Sequence, residues 1–228
     1  DFGAHATVLR RRSGRCLSPA TFRRKFVRPS RPALFHDLMD GWRSTAADLA
    51  LVHALTNQRV QVGSDADGHS VSMLMRDFLR YAGSNNDRNP FLVFDSVIFD
   101  TLLIQSNTHG LDDEPPWYTV PNIFSDDDLL RHLDPVDRPL YRWMLVGPTR
   151  SGSFVHTDPQ GTCAWNALVS GAKHWVLFHP DTPREILLGR RGAAKGRNGN
   201  GDVLPAEDEW DDVWGWYHED LPGIKESV

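Results

Sequence analysis

Four short strand-like runs between residues 141 and 178 constrain the fold of this chain more than any other feature. The segments between them contain Gly-Pro, Asp-Pro-Gln-Gly and Ser-Gly-Ala-Lys, which are typical of turns. Closely spaced short strands of this kind favour an antiparallel sandwich or barrel. The runs are Tyr141–Val146, Phe154–Thr157, Ala164–Val169 and His174–Phe178.

The residues before this block have a mixed character, so we expect an α+β chain with an all-β core and a helical N-terminal part. Apolar residues recur at helical spacing over Val71–Tyr81, whereas Arg59–Val62 and Phe91–Phe94 are strand-like. We divide the chain into a basic, disordered extension (1–20), a helical or mixed part (21–140) and the β core (141–228). A Gly-rich and basic stretch, 189–202, is predicted to be a flexible insertion in that core.

The charge is distributed unevenly. The net charge of the 228 residues is −5, yet residues 1–31 carry nine Lys or Arg side chains against one acid, Asp1. A basic arm of this kind can bind nucleic acid or act as a nuclear address, and it can equally be a solvated extension.

Other features argue for a soluble intracellular protein without a membrane partner. No apolar signal-peptide core follows the N-terminal arginines, and the most apolar run, 91–104, contains Asp95 and Asp100 and is too short to span a bilayer. Two cysteines, Cys16 and Cys163, do not suggest a disulfide framework and favour a reducing compartment.

His156 and Asp158 stand two residues apart in one strand-like run, FVHTDP. In a strand, residues i and i+2 point to the same face, so the imidazole and the carboxylate would project together. They would supply two members of the 2-His-1-carboxylate set that binds non-haem Fe(II). The pattern also occurs by chance beside Asp-Pro turns, so by itself it leaves both interpretations open.

The residues around this pair carry a resemblance to a known family. Residues 141–185, YRWMLVGPTRSGSFVHTDPQGTCAWNALVSGAKHWVLFHPDTPRE, resemble the core of a JmjC oxygenase, and more narrowly the subfamily once called the phosphatidylserine receptor. Three earlier stretches resemble that subfamily's leader in the same order: RRKFVRPSRPALFHDLMDGW (23–42), DADGHSVSMLMRDFLRY (65–81) and NPFLVFDS (89–96).

The resemblance implies a double-stranded β-helix, the jelly-roll or cupin-like JmjC barrel. It also implies an oxygenase that uses Fe(II), 2-oxoglutarate and O2 to hydroxylate lysyl side chains, or to demethylate arginine, in a basic protein substrate. His156 and Asp158 match the first two iron ligands, and Ser153, Asn166 and Lys173 match residues that line the 2-oxoglutarate site. Lys173 would pair with the far carboxylate of the cosubstrate.

Two features of the family pattern are missing. The family's second histidine ligand comes from a later strand rich in glycine and tryptophan, whereas WGWYHEDLPGIKESV at 214–228 resembles the segment before that strand. We therefore expect the sequence to be a fragment that lacks the C-terminal strands and is inactive alone; a pseudoenzyme is the other explanation. The tyrosine that follows Phe-Asp-Ser in the subfamily is also absent, and Tyr118 is a candidate substitute.

The alternative to an enzyme is a protein that keeps the JmjC fold without catalysis and serves as a scaffold, contacting RNA or chromatin through its basic segments. The resemblance implies a nuclear location, with the cytoplasm as the alternative. It does not fix the oligomeric state.

Overall fold

The computed structural model describes residues 8–42, 44, 50–64, 67, 69–99, 117–127, 129–134, 136–187 and 212–227. In this part of the chain the strands form three two-stranded sheets, and no closed barrel is present. The predicted insertion at 189–202 lies outside the described residues. The strands are β1 (Arg11–Arg12), β2 (Leu34–Phe35), β3 (Arg59–Ser64), β4 (Ser70–Leu74), β5 (Val93–Asp95) and β6 (Met144–Val146).

Helical segments surround these strands. None of the helices in the described ranges has the length and apolarity needed to cross a bilayer. The α-helices are α1 (Pro19–Phe22), which continues as π-helical Arg23–Val27, α2 (Ala50–Ala54), α3 (Met75–Ser84) and α4 (Arg184–Leu187). The C-terminal helix comprises Val213–Gly215, π-helical Trp216–Asp220 and Leu221–Ser227, and 3-10 turns cover Asn122–Asp127, Leu129–His132 and Pro159–Gly161.

The main core forms where β3, β4 and β5 meet α3. Strands β3 and β4 pair antiparallel, and β5 pairs antiparallel with β6 in the register Val93 to Val146. Alternation along β3 buries Val60 and Val62, and α3 covers them with Met75 and Phe78. Through β6, this core fixes the start of residues 141–187, the described segment that contains the four predicted strands and His156.

A second, smaller core holds the later part of that segment. The C-terminal helix buries Trp216, Leu221 and Ile224, and the side chains of Phe154, Val155, Val176 and Phe178 pack against them. In the predicted strands 154–157 and 174–178, these four side chains therefore face a helix, whereas Trp175 and Leu177 are exposed.

Three of the four predicted strands in the 141–178 block are absent, and the prediction of regular strands there was wrong. Only β6 forms a ladder, and residues 154–157, 164–169 and 174–178 belong to no strand. A strand exists only when a neighbouring strand satisfies its backbone groups, and these runs pair with no other described residues. The sequence pattern indicates which side chains of each run are apolar, but it does not indicate whether a neighbouring strand is present to pair with the run.

The helical prediction for 71–81 was also partly wrong. Ser70–Leu74 forms β4, and the helix begins only at Met75. The β-branched Val71 and the pairing of Val60 with Met73 keep this part extended. The strand predicted at 59–62 is confirmed as part of β3.

The Phe-Asp-Ser stretch ends β5 with a buried carboxylate. Asp95 is 4% exposed, and its two oxygens accept hydrogen bonds from the backbone N–H groups of Gln61, Val97 and Ile98 at 3.1, 2.9 and 3.0 Å. A buried carboxylate needs such donors, because an unpaired charge would be strongly destabilising. Asp95 thus ties β3 to the turn that follows β5.

An ion-pair cluster fastens the C-terminal helix to the loop after α3. Arg88 contacts Glu219 at 2.6 Å and Asp212 at 2.9 Å, and these two partners raise the pKa of the guanidinium, Glu219 being the larger influence. Asp212 also caps the helix by accepting from the backbone N–H of Gly215 at 2.9 Å. These contacts hold the helix that supports Phe154 and Val155.

Candidate functional site

A tight turn returns the chain from β6 toward His156. Both the backbone N–H and the hydroxyl of Ser151 donate to the Pro148 carbonyl, at 3.2 and 2.7 Å. A Cβ at Gly147 would overlap the Ser151 hydroxyl and lie 2.7 Å from a methyl carbon of Leu92. A larger residue at 147 would therefore require the Ser151 and Leu92 side chains to move.

Phe154 and Val155 then anchor the segment. The Phe154 ring meets the Trp216 ring edge to face, with centroids 5.8 Å apart. Both residues are partly buried against the C-terminal helix, whereas His156 and Thr157 are exposed. The anchor fixes the backbone from which His156 projects.

The imidazole of His156 is held in one tautomer. Its Nδ1 lies 2.6 Å from the backbone carbonyl oxygen of Phe154. A carbonyl oxygen only accepts, so Nδ1 carries the proton and donates. In the neutral ring the lone pair is then on Nε2, which lies 3.4 Å from Oδ1 of Asp158.

This arrangement fits a divalent metal ion. Metal-bound histidines commonly donate their other ring N–H to a backbone carbonyl, which fixes the ring and the tautomer. Two N or O ligands about 2.1 Å from one ion lie about 3.0–3.4 Å apart at octahedral or tetrahedral angles. The observed 3.4 Å falls in that range, and both side chains are open to solvent.

The chain contains a second His-x-Asp pair that lacks this arrangement. In His179 and Asp181, Nδ1 itself is the atom 3.4 Å from the carboxylate, and it accepts from the backbone N–H of Asp181 at 3.3 Å. These side chains are 74% and 90% exposed. The two pairs have the same spacing, and the carbonyl contact of His156 distinguishes them.

A third ligand is not found in the described ranges. No group of three His, Cys, Asp or Glu side chains in that part of the chain is arranged to hold a metal ion. His218 contacts the rings of Trp214 and Tyr217 instead, at 3.7 and 5.0 Å between centroids.

Ser153, Asn166 and Lys173 are all exposed. In the described structure, no hydrogen bond or ion pair joins them to one another or to the His156–Asp158 pair. The roles that the resemblance implies for these three residues, and for the pair, remain predictions.

The environment of Lys173 differs from that of an ordinary surface lysine. Its Nζ lies 4.5 Å from the centre of the Trp175 ring, a cation–π contact. Neighbouring protein atoms partly desolvate the ammonium group and lower its pKa below the usual 10.5. An anion beside Lys173 would offset that desolvation cost by its attraction for the ammonium group.

The contacts that surround Trp165, beside Asn166, were not predicted from the sequence, which offered Tyr118 only as a candidate cosubstrate residue. The Trp165 ring stacks on Phe124, with centroids 5.5 Å apart and planes 9° from parallel. Trp42 and Tyr118 lie 6.2 and 6.3 Å from the same ring. These partners are distant along the chain, so no local pattern relates them to Trp165. The sequence shows only that Trp165 directly precedes Asn166.

Comparison with known proteins places these observations in a family. No family model matches the chain. Over 183 residues it is 38% identical to the bifunctional arginine demethylase and lysyl-hydroxylase psr-1 of Caenorhabditis elegans, an alignment that covers 78% of this chain and 43% of that protein. The chain belongs to the JmjC oxygenase family.

More distant relatives agree with this assignment. The arginine-specific demethylase JMJ22 of Arabidopsis thaliana is 34% identical over 170 residues, covering 73% of this chain and 30% of that protein. The human 2-oxoglutarate and iron-dependent oxygenase JMJD4 is 35% identical over 83 residues, covering 36% of this chain and 18% of that protein. The chain thus spans less than half the length of these JmjC relatives.

Proposed function

We propose that the protein containing this chain is an Fe(II)- and 2-oxoglutarate-dependent oxygenase that acts on lysyl or arginyl side chains of a basic protein substrate. The observation that carries the proposal is the His156 ring, which donates Nδ1–H to the Phe154 carbonyl and turns Nε2 toward Asp158. Relatives named as lysyl-hydroxylase and arginine demethylase supply the reaction class.

In this proposal each site residue has a defined task. His156 and Asp158 hold the iron, and Ser153, Asn166 and Lys173 bind and orient 2-oxoglutarate. Iron and the cosubstrate, when bound, supply the oxidation of a C–H bond by O2 while 2-oxoglutarate is converted to succinate and CO2. The protein positions the reactants and excludes water.

We also propose that the 141–187 segment forms part of a jelly-roll barrel in the complete protein. The support is the apolar surface that this segment leaves open: Trp175 and Leu177 are each 54% exposed, and Leu168 is 44% exposed. Large apolar patches of this kind usually mark a surface that another element covers. The third iron ligand would then belong to a strand outside the described residues.

The test of the function is product formation by the complete protein, with the transcript first sequenced beyond the codon for Val228. Purified protein is incubated with Fe(II), 2-oxoglutarate, O2 and peptides that carry either lysine or methylated arginine, and succinate and peptide mass are measured. Gain of one oxygen atom indicates hydroxylation, and loss of a methyl group indicates demethylation. Absence of succinate formation with every peptide, at full iron occupancy, would refute the proposal.

The lowered pKa of Lys173 predicts a pH dependence of cosubstrate binding. Its charged form would attract the C5 carboxylate of 2-oxoglutarate, and that charge is lost as the pH rises through the lowered pKa. We expect the KM for 2-oxoglutarate to begin to rise at a pH below the 10.5 of an unperturbed lysine. A KM versus pH profile measures this.

The Lys173→Arg variant is the matched control, since a guanidinium keeps its charge throughout the accessible range. Its KM should stay flat over the pH interval in which that of the wild type rises. A wild-type KM that is constant up to pH 10.5, or a Lys173→Arg profile that rises with it, would show that the charge of Lys173 does not bind the cosubstrate.

A second candidate function, RNA contact, is favoured by the surface of residues 8–42. This stretch contains nine Lys or Arg side chains and two acids, Asp37 and Asp40. Both carboxylates already have partners within this stretch: Asp37 accepts a hydrogen bond from the backbone N–H of Gly14 at 2.7 Å, and Asp40 forms an ion pair with Arg15. The exposed cations Arg10, Arg11, Arg24, Lys25, Arg28 and Arg31 are left to face solvent.

Such a surface attracts a phosphate backbone, and the affinity should fall with salt. We expect the triple variant Arg24→Glu, Lys25→Glu, Arg28→Glu to weaken binding of a single-stranded RNA, and the slope of log affinity against log salt to fall by about 0.7 for each lost phosphate contact. Fluorescence anisotropy measures both quantities. An unchanged affinity and slope would show that this surface does not bind RNA.

We also propose that the protein is nuclear, and imaging of the tagged protein tests this.

A further inference from the structure

Asn166 lies in a segment that has almost no support of its own. Residues 163–173 belong to no strand or helix and take part in no backbone hydrogen bond of the described structure. All of them except Ala167 are exposed. A segment of this kind is held in place only by the side chains that it packs against other elements.

Trp165 provides that packing. Its indole lies between three aromatic side chains from distant parts of the chain: Phe124 stacks on it at 5.5 Å, and Trp42 and Tyr118 approach at 6.2 and 6.3 Å, tilted by 60° and 53°. We call these three residues the aromatic clasp. Aromatic pairs in such geometries contribute stabilisation beyond the area that they bury.

The clasp is itself fixed to the rest of the fold. Trp42 is 4% exposed, and its Nε1–H donates to the hydroxyl of Thr119 at 3.1 Å. The Phe124 ring meets Phe22 edge to face at 5.3 Å, which connects it to α1. Tyr118 contacts both Trp42 and Phe99, at 5.8 and 5.1 Å. The Trp165 indole therefore packs against side chains that are themselves held by the rest of the fold.

We infer that Trp165, held by the aromatic clasp, is a positioning residue for Asn166 in the 2-oxoglutarate site. Consecutive Cα atoms are about 3.8 Å apart, so a fixed indole at 165 restricts where the amide of 166 can lie. Binding groups must be held within about 0.5 Å of their productive position to be effective. This inference rests on the proposed function, because it assigns Asn166 to cosubstrate binding.

The experiment measures 2-oxoglutarate binding to the complete protein. Mn(II) replaces iron, and isothermal titration gives the dissociation constant without turnover. Phe124→Leu removes the stacking partner but retains an apolar side chain, and Phe124→Tyr retains the ring. We expect Phe124→Leu to weaken binding about 2- to 10-fold, the range expected for one lost aromatic pair, and Phe124→Tyr to stay within about twofold of the wild type.

A second stacked pair supplies the matched control. Phe94 stacks on Trp143 at 4.2 Å and 14°, and neither ring contacts Trp165. Phe94→Leu makes the same chemical change at a stack that does not include the neighbour of Asn166, so 2-oxoglutarate binding should not change. Thermal unfolding of each variant, read by near-UV circular dichroism, reports any general loss of structure.

Each outcome has one meaning. If the wild type fails to bind 2-oxoglutarate, the proposed function itself is wrong. If the wild type binds and Phe124→Leu binds equally well, the positioning inference is wrong and the function stands. If Phe94→Leu and Phe124→Leu weaken binding by the same factor, the effect is general and the clasp has no special role.

Discussion

The His156→Ala variant is expected to lose more than about 100-fold of its 2-oxoglutarate turnover. Even residues that only support metal ligands commonly change affinity or activity 10- to 100-fold, and removal of a ligand should have a larger effect. The imidazole supplies the Nε2 that faces Asp158 at 3.4 Å, and no other described histidine has that relation to a carboxylate. Succinate release and Mn(II) affinity are the two measurements.

His179→Ala is the natural control for this prediction. It removes a histidine of the same spacing and the same 3.4 Å separation, but one whose Nδ1 accepts a backbone hydrogen bond within a turn. We expect Mn(II) affinity to be unaffected. Should His156→Ala retain metal affinity within about threefold of the wild type, or His179→Ala lose as much, the pair at 156 and 158 is not the metal site.

The proximity of His156 and Asp158 could be predicted from the sequence because the information is local. A spacing of two residues places His156 and Asp158 near each other in any extended backbone, and the structure has them adjacent although the segment is not a strand. What the spacing did not contain is the 2.6 Å contact of Nδ1 with the Phe154 carbonyl. The duplicate pattern at 179 and 181 shows that this contact, rather than the spacing, makes the pair distinctive.

Long-range packing was the part that the sequence could not supply. The stack of Trp165 on Phe124 joins residues 41 positions apart, and no periodicity relates them. The strand at 70–74 was taken for helix because Val71, Leu74 and Met75 satisfy a helical spacing as well, and the antiparallel partner β3 decides between the two. The other three runs predicted as strands in the 141–178 block are not strands, because no described residues pair with them.

The main core should be the part of the fold most sensitive to a cavity. Phe78 is fully buried, at 0% exposure, and packs in the cluster of Val60, Val62, Met75 and Val93. Truncating a buried Phe to alanine typically costs 3–5 kcal/mol, so we expect Phe78→Ala to lower the free energy of unfolding by about 4 kcal/mol. Urea unfolding followed by tryptophan fluorescence measures the change.

An effect of this size is a large fraction of the roughly 5–15 kcal/mol that stabilises an ordinary domain. Phe91→Ala makes the same substitution at a ring that is 43% exposed, and it should cost less than about half as much because less apolar area returns to water. Equal losses at the two positions would mean that Phe78 does not occupy a close-packed core. Because β5 and β6 border that core, its loss would also release the backbone that leads through Gly147 to His156.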